Sequence, residues 1–405
     1  MQEESEIAAV KFGVDTPLIE KTVNIKKNIE RFGSDLTFLG IREYERTKHV
    51  HRLHPYLGKF IPQLVEVFLK EYFEAGETVI DPFSGSGTTL IEANVLGINS
   101  IGIELSPFNA LIQKVKTASY DMPVVESEIK DALRKAKIFS GGLKNNGTLL
   151  DKNSNSVETD SEYLSTWFSE RALKELLFYK NNIPNYKNGD VLEIILSRAA
   201  RSARLIPHYD LARPKKPVSE RYWCIKHKRY CEPTNEAYKF IERYSLDTIE
   251  RLKEFNFIKT SANMTIIQGD SRIVKLPTGT KADGIFTSPP YVGVIDYHEQ
   301  HKYAYELFDF PRQDEAEIGP AKRGSGAVAR GTYSEAIEQV FRNMNKYLKA
   351  GAKIFIVAND KYNLYQEIGS RCGYSLIDIF DRPVLMRTER TGKTYFESIF
   401  YFKKN

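Results

Sequence analysis

Disulfide chemistry is the first thing this chain cannot support. Three cysteines in 405 residues, Cys224, Cys231 and Cys372, are too few for a secreted disulfide framework. No apolar run approaches the ~20 residues that cross a bilayer as a helix. The opening Met1-Gln2-Glu3-Glu4-Ser5-Glu6 is acidic where a secretory or transit peptide carries positive charge. Charge of one sign is also missing: 58 Lys+Arg against 53 Asp+Glu leave +5, too mild by itself to argue for a polyanionic partner. These absences leave a cytoplasmic, bacterial-type globular protein, long enough to bury a large core and to hold two domains.

Two segments carry chemistry. In Val79-Ile80-Asp81-Pro82-Phe83-Ser84-Gly85-Ser86-Gly87-Thr88-Thr89 an apolar strand runs into a Gly-Ser-Gly turn and then a helix. The glycines let backbone approach a ligand, and the helix start presents free N–H groups. Further on, Ser100-Ile101-Gly102-Ile103-Glu104 ends a second strand in a carboxylate, placed to accept ribose hydroxyls. The turn lacks the Gly-Lys-Thr/Ser of a P-loop and the third glycine of the dinucleotide fingerprint. A nucleoside without a pyrophosphate fits better, and S-adenosylmethionine is the candidate. The second segment is Thr287-Ser288-Pro289-Pro290-Tyr291, after the apolar Gly284-Ile285-Phe286. Two prolines stop the strand and hold rigid carbonyls beside a hydroxyl and an aromatic ring. That set suits a flat heterocycle with an exocyclic amine. Alone it would read as a proline turn; the upstream segment gives it a partner.

With both present, the chain resembles the S-adenosylmethionine-dependent DNA amino-methyltransferases. Asp81–Gly87 looks like that family's cofactor loop and Thr287–Tyr291 like its catalytic loop. His54-Pro55-Tyr56-Leu57-Gly58-Lys59-Phe60-Ile61-Pro62 is similar to the segment that holds the methionine end, and Ile267-Gln268-Gly269-Asp270-Ser271 to the one beside the adenine. The resemblance spans residues from about 50 to 116 and from about 263 to 405. It implies cofactor contacts from Lys59, Asp81, Phe83, Gly85, Gly87, Thr88, Glu104 and Asp270. It also implies catalysis by Ser288, Pro289, Pro290 and Tyr291 on a base flipped out of duplex DNA, with no metal and no covalent enzyme–base bond. Serine before Pro-Pro-Tyr is associated in the family mainly with cytosine N4, which makes N4-methylcytosine the expected product. The partner is then duplex DNA, with a restriction endonuclease of the same site where one exists. Cytosine C5 chemistry needs a nucleophilic cysteine, usually after proline, and none of the three follows one. Adenine N6 methylation, an RNA amino-methyltransferase and a non-catalytic DNA-binding subunit remain as alternatives.

Alternating strands and helices predict an α/β, doubly wound, mostly parallel seven-stranded sheet, with the resemblance adding an antiparallel last strand. Residues 1–45 form an N-terminal extension, 46–116 and 263–405 the two parts of the catalytic domain, and 117–262 a large helical insertion. Helices are expected over Tyr163–Asn181, Asp190 to about Leu205, and Thr234 to Phe255. The insertion holds Arg198, Arg201, Arg204, Arg213, Lys215, Lys216, Arg221, Lys226, Lys228 and Arg229 against only Asp210 and Glu220. Cations interleaved with His208, Tyr209, Tyr222 and Trp223 suit a phosphate backbone, so the insertion is assigned to DNA target recognition through Arg213, Lys215 and Lys216. Arg323–Gly331, with Arg323 and Arg330, reads as a mobile basic loop beside the DNA. Asp296, Tyr297, His301 and Tyr303 are candidates for the base pocket. Cys224, His227 and Cys231, with distant His208, invite a zinc reading, but the spacing is not a paired Cys-x-x-Cys knuckle. A buried-thiol cluster without metal is the expectation there.

Overall fold

Apolar side chains alternate between the two faces of each central strand, and this period of two decides what packs on either side. The computed structural model describes residues 26–38, 40–55, 58, 60–144, 158–210, 214–384 and 395–405. Its strands are β1 (Thr78–Asp81), β2 (Asn99–Glu104), β3 (Tyr222–Cys224), β4 (Arg229–Cys231), β5 (Met264–Gln268), β6 (Ala282–Thr287), β7 (Leu348–Ala358), β8 (Tyr374–Val384) and β9 (Tyr395–Lys404). Seven form one sheet in the order β5-β2-β1-β6-β7-β9-β8, while β3 and β4 form a separate hairpin. The pairs β1/β2, β1/β6, β2/β5 and β6/β7 are parallel. Strand β9 runs antiparallel between β7 and β8. The seven-stranded, doubly wound α/β sheet with its inserted last strand is the one expected.

Ile80, Ile285, Ile354 and Ile356 share a core cluster with Ile337, Val340 and Phe341. Their neighbours Val79, Phe286, Phe355 and Val357 point the other way, onto Leu64, Val65 and Phe68 of helix α1 (Pro62–Tyr72). From the N-terminal extension, the Asn28 side-chain amide donates to the Asp381 carbonyl (2.8 Å). Phe32 packs on Phe68 and Phe380 at ring-centroid distances of 4.8 and 5.3 Å.

A third cluster belongs to the insertion. Helices α4 (Met122–Lys144), α6 (Glu170–Asn182), α7 (Gly189–Ala203) and α8 (Tyr238–Ile258) pack together. The same cluster takes in Ile91 of α2 (Thr88–Val95) and Phe108, Ile112 and Val115 of α3 (Pro107–Thr117). The insertion therefore shares its core with the helices that follow β1 and β2.

Two sequence expectations need correction. The helix over Tyr163–Asn181 is two, α5 (Glu162–Trp167) and α6, because Ser161 and Ser169 each cap a new start by accepting from Leu164 N (3.2 Å) and Ala172 N (3.3 Å). The segment Arg323–Gly331 is not a loop throughout: helix α11 (Ala327–Met344) begins inside it, where alanines favour the helix. Further helices are α9 (Tyr297–Gln300), α10 (Lys302–Phe308) and α12 (Tyr365–Arg371). Among the described residues no helix is long and apolar enough to cross a membrane.

Phe68 has no exposed surface and meets Tyr72, Phe286, Phe355 and Phe380. Phe68→Ala should cost about 3–5 kcal/mol of unfolding free energy in a urea titration; a loss under ~1 kcal/mol would contradict this packing.

Candidate active site

Strands β1 and β6 are neighbours in register, Ile80 opposite Ile285, so their carboxyl ends deliver Asp81 and Thr287 to the same place. Thr287 Oγ1 donates to Asp81 Oδ1 (2.6 Å), Thr89 Oγ1 to Asp81 Oδ2 (2.7 Å), and Phe83 N to Asp81 Oδ1 (3.1 Å). Burial raises the Asp81 carboxyl to about 6 despite these three donors. One carboxylate thus joins the Gly-Ser-Gly turn, the start of α2 and the Ser-Pro-Pro turn.

Around it opens a cleft of roughly 880 Å³ that is open to solvent. Asp81, Phe83, Gly85, Thr88, Glu104 and Asp270 line it, together with Ser288 and Pro290. Gly87 lies just behind, capping α2 in the left-handed conformation at φ 81°. A Cβ there would stand 3.0 Å from Gln113 Cγ. Gln113 also holds the turn, donating to the Gly85 carbonyl (2.9 Å) and accepting from Ser84 Oγ (3.1 Å). Glu104 accepts from Ser106 N (2.8 Å) and Asn109 Nδ2 (3.3 Å), and burial raises its carboxyl to about 7. Asp270 is engaged by Arg272, whose Nε and Nη2 lie 3.0 and 2.6 Å from Oδ2. Two cleft-lining hydroxyls, Ser86 Oγ and Thr88 Oγ1, are buried with no partner among the described residues.

Pro289 is buried, and the Pro290 carbonyl accepts from the Tyr333 hydroxyl (2.8 Å). Tyr291 does not line the cleft; its hydroxyl donates to Glu397 (2.9 Å), which Arg382 holds in turn. The far wall comes from the chain after the turn: Tyr297, His298, Ala316, Glu317 and Ile318. His298 N donates to Glu317 Oε1 (2.8 Å), and burial raises the Glu317 carboxyl to about 7. His301 and Tyr303, candidates for this wall, instead sit in the core, Tyr303 hydroxyl against His54 Nε2 (3.3 Å). Asp296 accepts from Lys322 N (3.1 Å). Lys59 lies outside the described residues. Gly58 lines the cleft, and a Cβ on it would stand 3.2 Å from the Tyr297 hydroxyl.

Residues 15–114 match the DNA methylase family. Type II methyltransferase M.MjaII of Methanocaldococcus jannaschii is 44% identical, over 91% of this chain and 83% of its own length. The chain belongs to the DNA amino-methyltransferases of restriction-modification systems. Among further relatives of this type, M.MvaI of Kocuria varians is 26% identical over 75% of this chain and 66% of its own length. M.BsoBI of Geobacillus stearothermophilus is 23% identical over 71% and 57%.

In this methyltransferase the basic residues of the insertion divide. Arg198 and Arg204 are buried: Arg198 pairs with Asp247 and lies over Tyr244, and Arg204 lies over Tyr303. They are structural, which removes these two from the cations expected to suit a phosphate backbone. Lys215, Lys216, Arg221, Lys226, Lys228 and Arg229 are exposed. Arg213 falls outside the described residues. Arg323 pairs with Glu315 (2.9 Å), and Arg330 stacks over Tyr362 (4.6 Å). The backbone of residue 324 presses on the turn: a Cβ on Gly293, at φ +70°, would meet Gly324 O at 2.7 Å.

Sequence reasoning missed Arg272, Glu317 and the bracing role of Thr287. A threonine ending a strand beside a buried aspartate was the available signal for the last; Glu317 had none.

The raised Glu104 carboxyl makes a testable pH effect. Its folded pKa exceeds the unfolded value, so the folded state binds more protons between about 4.5 and 7 and this contribution to stability falls as pH rises through that window. The buried, lowered His49, His298 and His301 act in the opposite sense, so the comparison with Glu104→Gln isolates the carboxyl. Wild type should lose on the order of 2–3 kcal/mol relative to Glu104→Gln from pH 4.5 to 7.5 in urea unfolding. A constant difference would refute the raised value.

Proposed function

We propose that this methyltransferase transfers a methyl group from S-adenosylmethionine to the exocyclic N4 of a cytosine flipped out of duplex DNA. The observation that carries the reading is that Ser288 lines the same cleft as Gly85 and Glu104, with Asp81 joining the two turns. Glu104, at the end of β2, suits a ribose diol. The unpartnered Ser86 and Thr88 hydroxyls and the start of α2 suit a polar amino-acid end. When bound, S-adenosylmethionine supplies an electrophilic methyl on a sulfonium.

Cytosine N4 is a weak nucleophile because its lone pair is delocalised into the ring. The Ser288 hydroxyl and the Pro289 carbonyl accept its two protons, favour a pyramidal nitrogen and aim the lone pair. The Pro290 carbonyl is committed to Tyr333, which fixes the turn from behind. The stacking expected of Tyr291 on the flipped base requires its ring to turn into the cleft, which it does not line while its hydroxyl is bound to Glu397. Orientation and fixed dipoles do the catalytic work, and one amine proton departs to solvent. DNA is held by the exposed cations Lys215, Lys216, Lys226, Lys228 and Arg229 of the insertion and by Lys322, Arg323 and Arg330 beside the catalytic turn. A cognate endonuclease would cut the same sequence.

Ser288→Ala should lose turnover by about a hundredfold or more while calorimetry shows unchanged S-adenosylmethionine affinity. Nucleosides from DNA modified by the wild type should contain N4-methylcytosine. Finding N6-methyladenine alone would refute the base, and loss of cofactor affinity in Ser288→Ala would refute the division of roles.

Lys215→Gln/Lys216→Gln should flatten the salt dependence of DNA binding by up to about one unit of slope per lost phosphate contact. An unchanged slope would mark these lysines as merely solvated.

A further inference from the structure

The insertion holds a second chemistry-bearing cluster, none of whose members lines the cleft. His208 follows α7, and Cys224, His227 and Cys231 lie on the β3–β4 hairpin. Two hydrogen bonds bring these stretches together: Val218 N donates to the Leu205 carbonyl (2.7 Å) and His208 N to the Tyr222 hydroxyl (3.0 Å). The result is two sulfurs and two imidazole nitrogens, all within 4.8 Å of one another. His208 Nδ1 is 4.0 Å from Cys224 Sγ, and His227 Nδ1 is 3.4 Å from Cys231 Sγ. In a tetrahedral zinc site, with bonds of about 2.3 Å to sulfur and 2.0–2.1 Å to nitrogen, neighbouring ligand atoms stand about 3.4–3.8 Å apart. The cluster is within a few tenths of an ångström of that geometry at both measured contacts.

Ordinary packing does not explain it. Buried thiols behave as small apolar groups, which accounts for Cys224 and Cys231, 0% and 8% exposed, but not for two imidazoles converging on them. The hairpin also lacks a core of its own: its strands are three residues each, and Trp223, Ile225 and Tyr230 are exposed. An isolated two-stranded hairpin of this kind is marginal in water. Lys228, at its tip, even adopts the left-handed conformation (φ 51°), a strain that needs a compensating constraint. A metal bound by four protein ligands supplies one, and an N₂S₂ donor set selects zinc.

We propose that His208, Cys224, His227 and Cys231 bind one structural zinc ion that folds the β3–β4 hairpin and presents its basic, aromatic tip. The spacing is not that of a paired knuckle because the fourth ligand comes from the end of α7. Around the site stand Arg221, Lys226, Lys228 and Arg229, with Arg221 over the Tyr230 ring (5.3 Å). Resting on the proposed function, this tip is a DNA contact whose shape depends on the metal.

The test uses the full chain, purified without chelator from zinc-replete medium. Elemental analysis should find about one zinc per chain, released when a mercurial titrates the thiols. Cobalt in its place should give the intense visible bands of a tetrahedral site and a thiolate-to-cobalt charge-transfer band. His227 is exposed, so His227→Ala should weaken zinc binding by about tenfold or more with the circular dichroism of the helices unchanged. A chain that neither carries zinc nor takes up added zinc or cobalt, or one isolated with a Cys224–Cys231 disulfide, would overturn the site. Zinc removal should also weaken DNA binding while leaving S-adenosylmethionine affinity intact. Zinc binding with DNA affinity unchanged on its removal would uphold the metal site and overturn the DNA role of the tip, and neither result bears on methyl transfer itself.

Discussion

One buried carboxylate ties together the two turns that meet in the cleft. Asp81 gathers a threonine hydroxyl from the Ser-Pro-Pro turn, another from the first turn of α2, and its own loop's backbone N–H. Hydrogen bonds to a charged group contribute roughly 1.5–3 kcal/mol each, set against the desolvation that raises its carboxyl to about 6. Asp81 and Thr287 lie 206 positions apart in the chain. They meet because β1 and β6 are adjacent parallel strands whose ends coincide. The doubly wound order places the ends of β1, β2 and β6 along one edge, where such folds bind their ligands.

Much of this was legible in the sequence because it rested on local rules. Gly-Ser-Gly after an apolar strand, a terminal Glu104 and two successive prolines each say where a strand stops and what backbone the stop exposes. The cleft accordingly collects six of the eight residues expected at the cofactor. What stayed hidden was set by tertiary packing. Tyr291 follows the prolines directly, yet its hydroxyl is bound by Glu397 on β9. His301 and Tyr303 are polar enough to suggest a pocket, but α10 turns them into the core shared with the insertion. Glu317 reaches the cleft from a stretch with no periodic pattern, and only the fold brings it to His298.

Charge density misled in the same way. A run of arginines reads as one surface when counted along the chain, but a helix divides its residues between solvent and core. Arg198 and Arg204 on and after α7 face inward, each lying over a tyrosine ring, with Asp247 neutralising the first. The guanidinium's planar, weakly hydrated character tolerates such burial. The lysines on the hairpin and the preceding loop stay outside, where a strongly hydrated ammonium is favoured.

The joint ownership of one core by the insertion and by α2 and α3 bears on how such an enzyme diversifies. A cassette transplanted from a relative in place of residues 117–262 would have to rebuild contacts with Ile91, Phe108, Ile112 and Val115, the apolar backs of the two helices that follow and brace the Gly-Ser-Gly turn. Wholesale exchange would disturb the cleft itself. The β3–β4 hairpin, whose strands pair only with each other among the described residues, is free of that constraint, and under the proposed function mutational drift in target preference has room there that the helices around it do not allow.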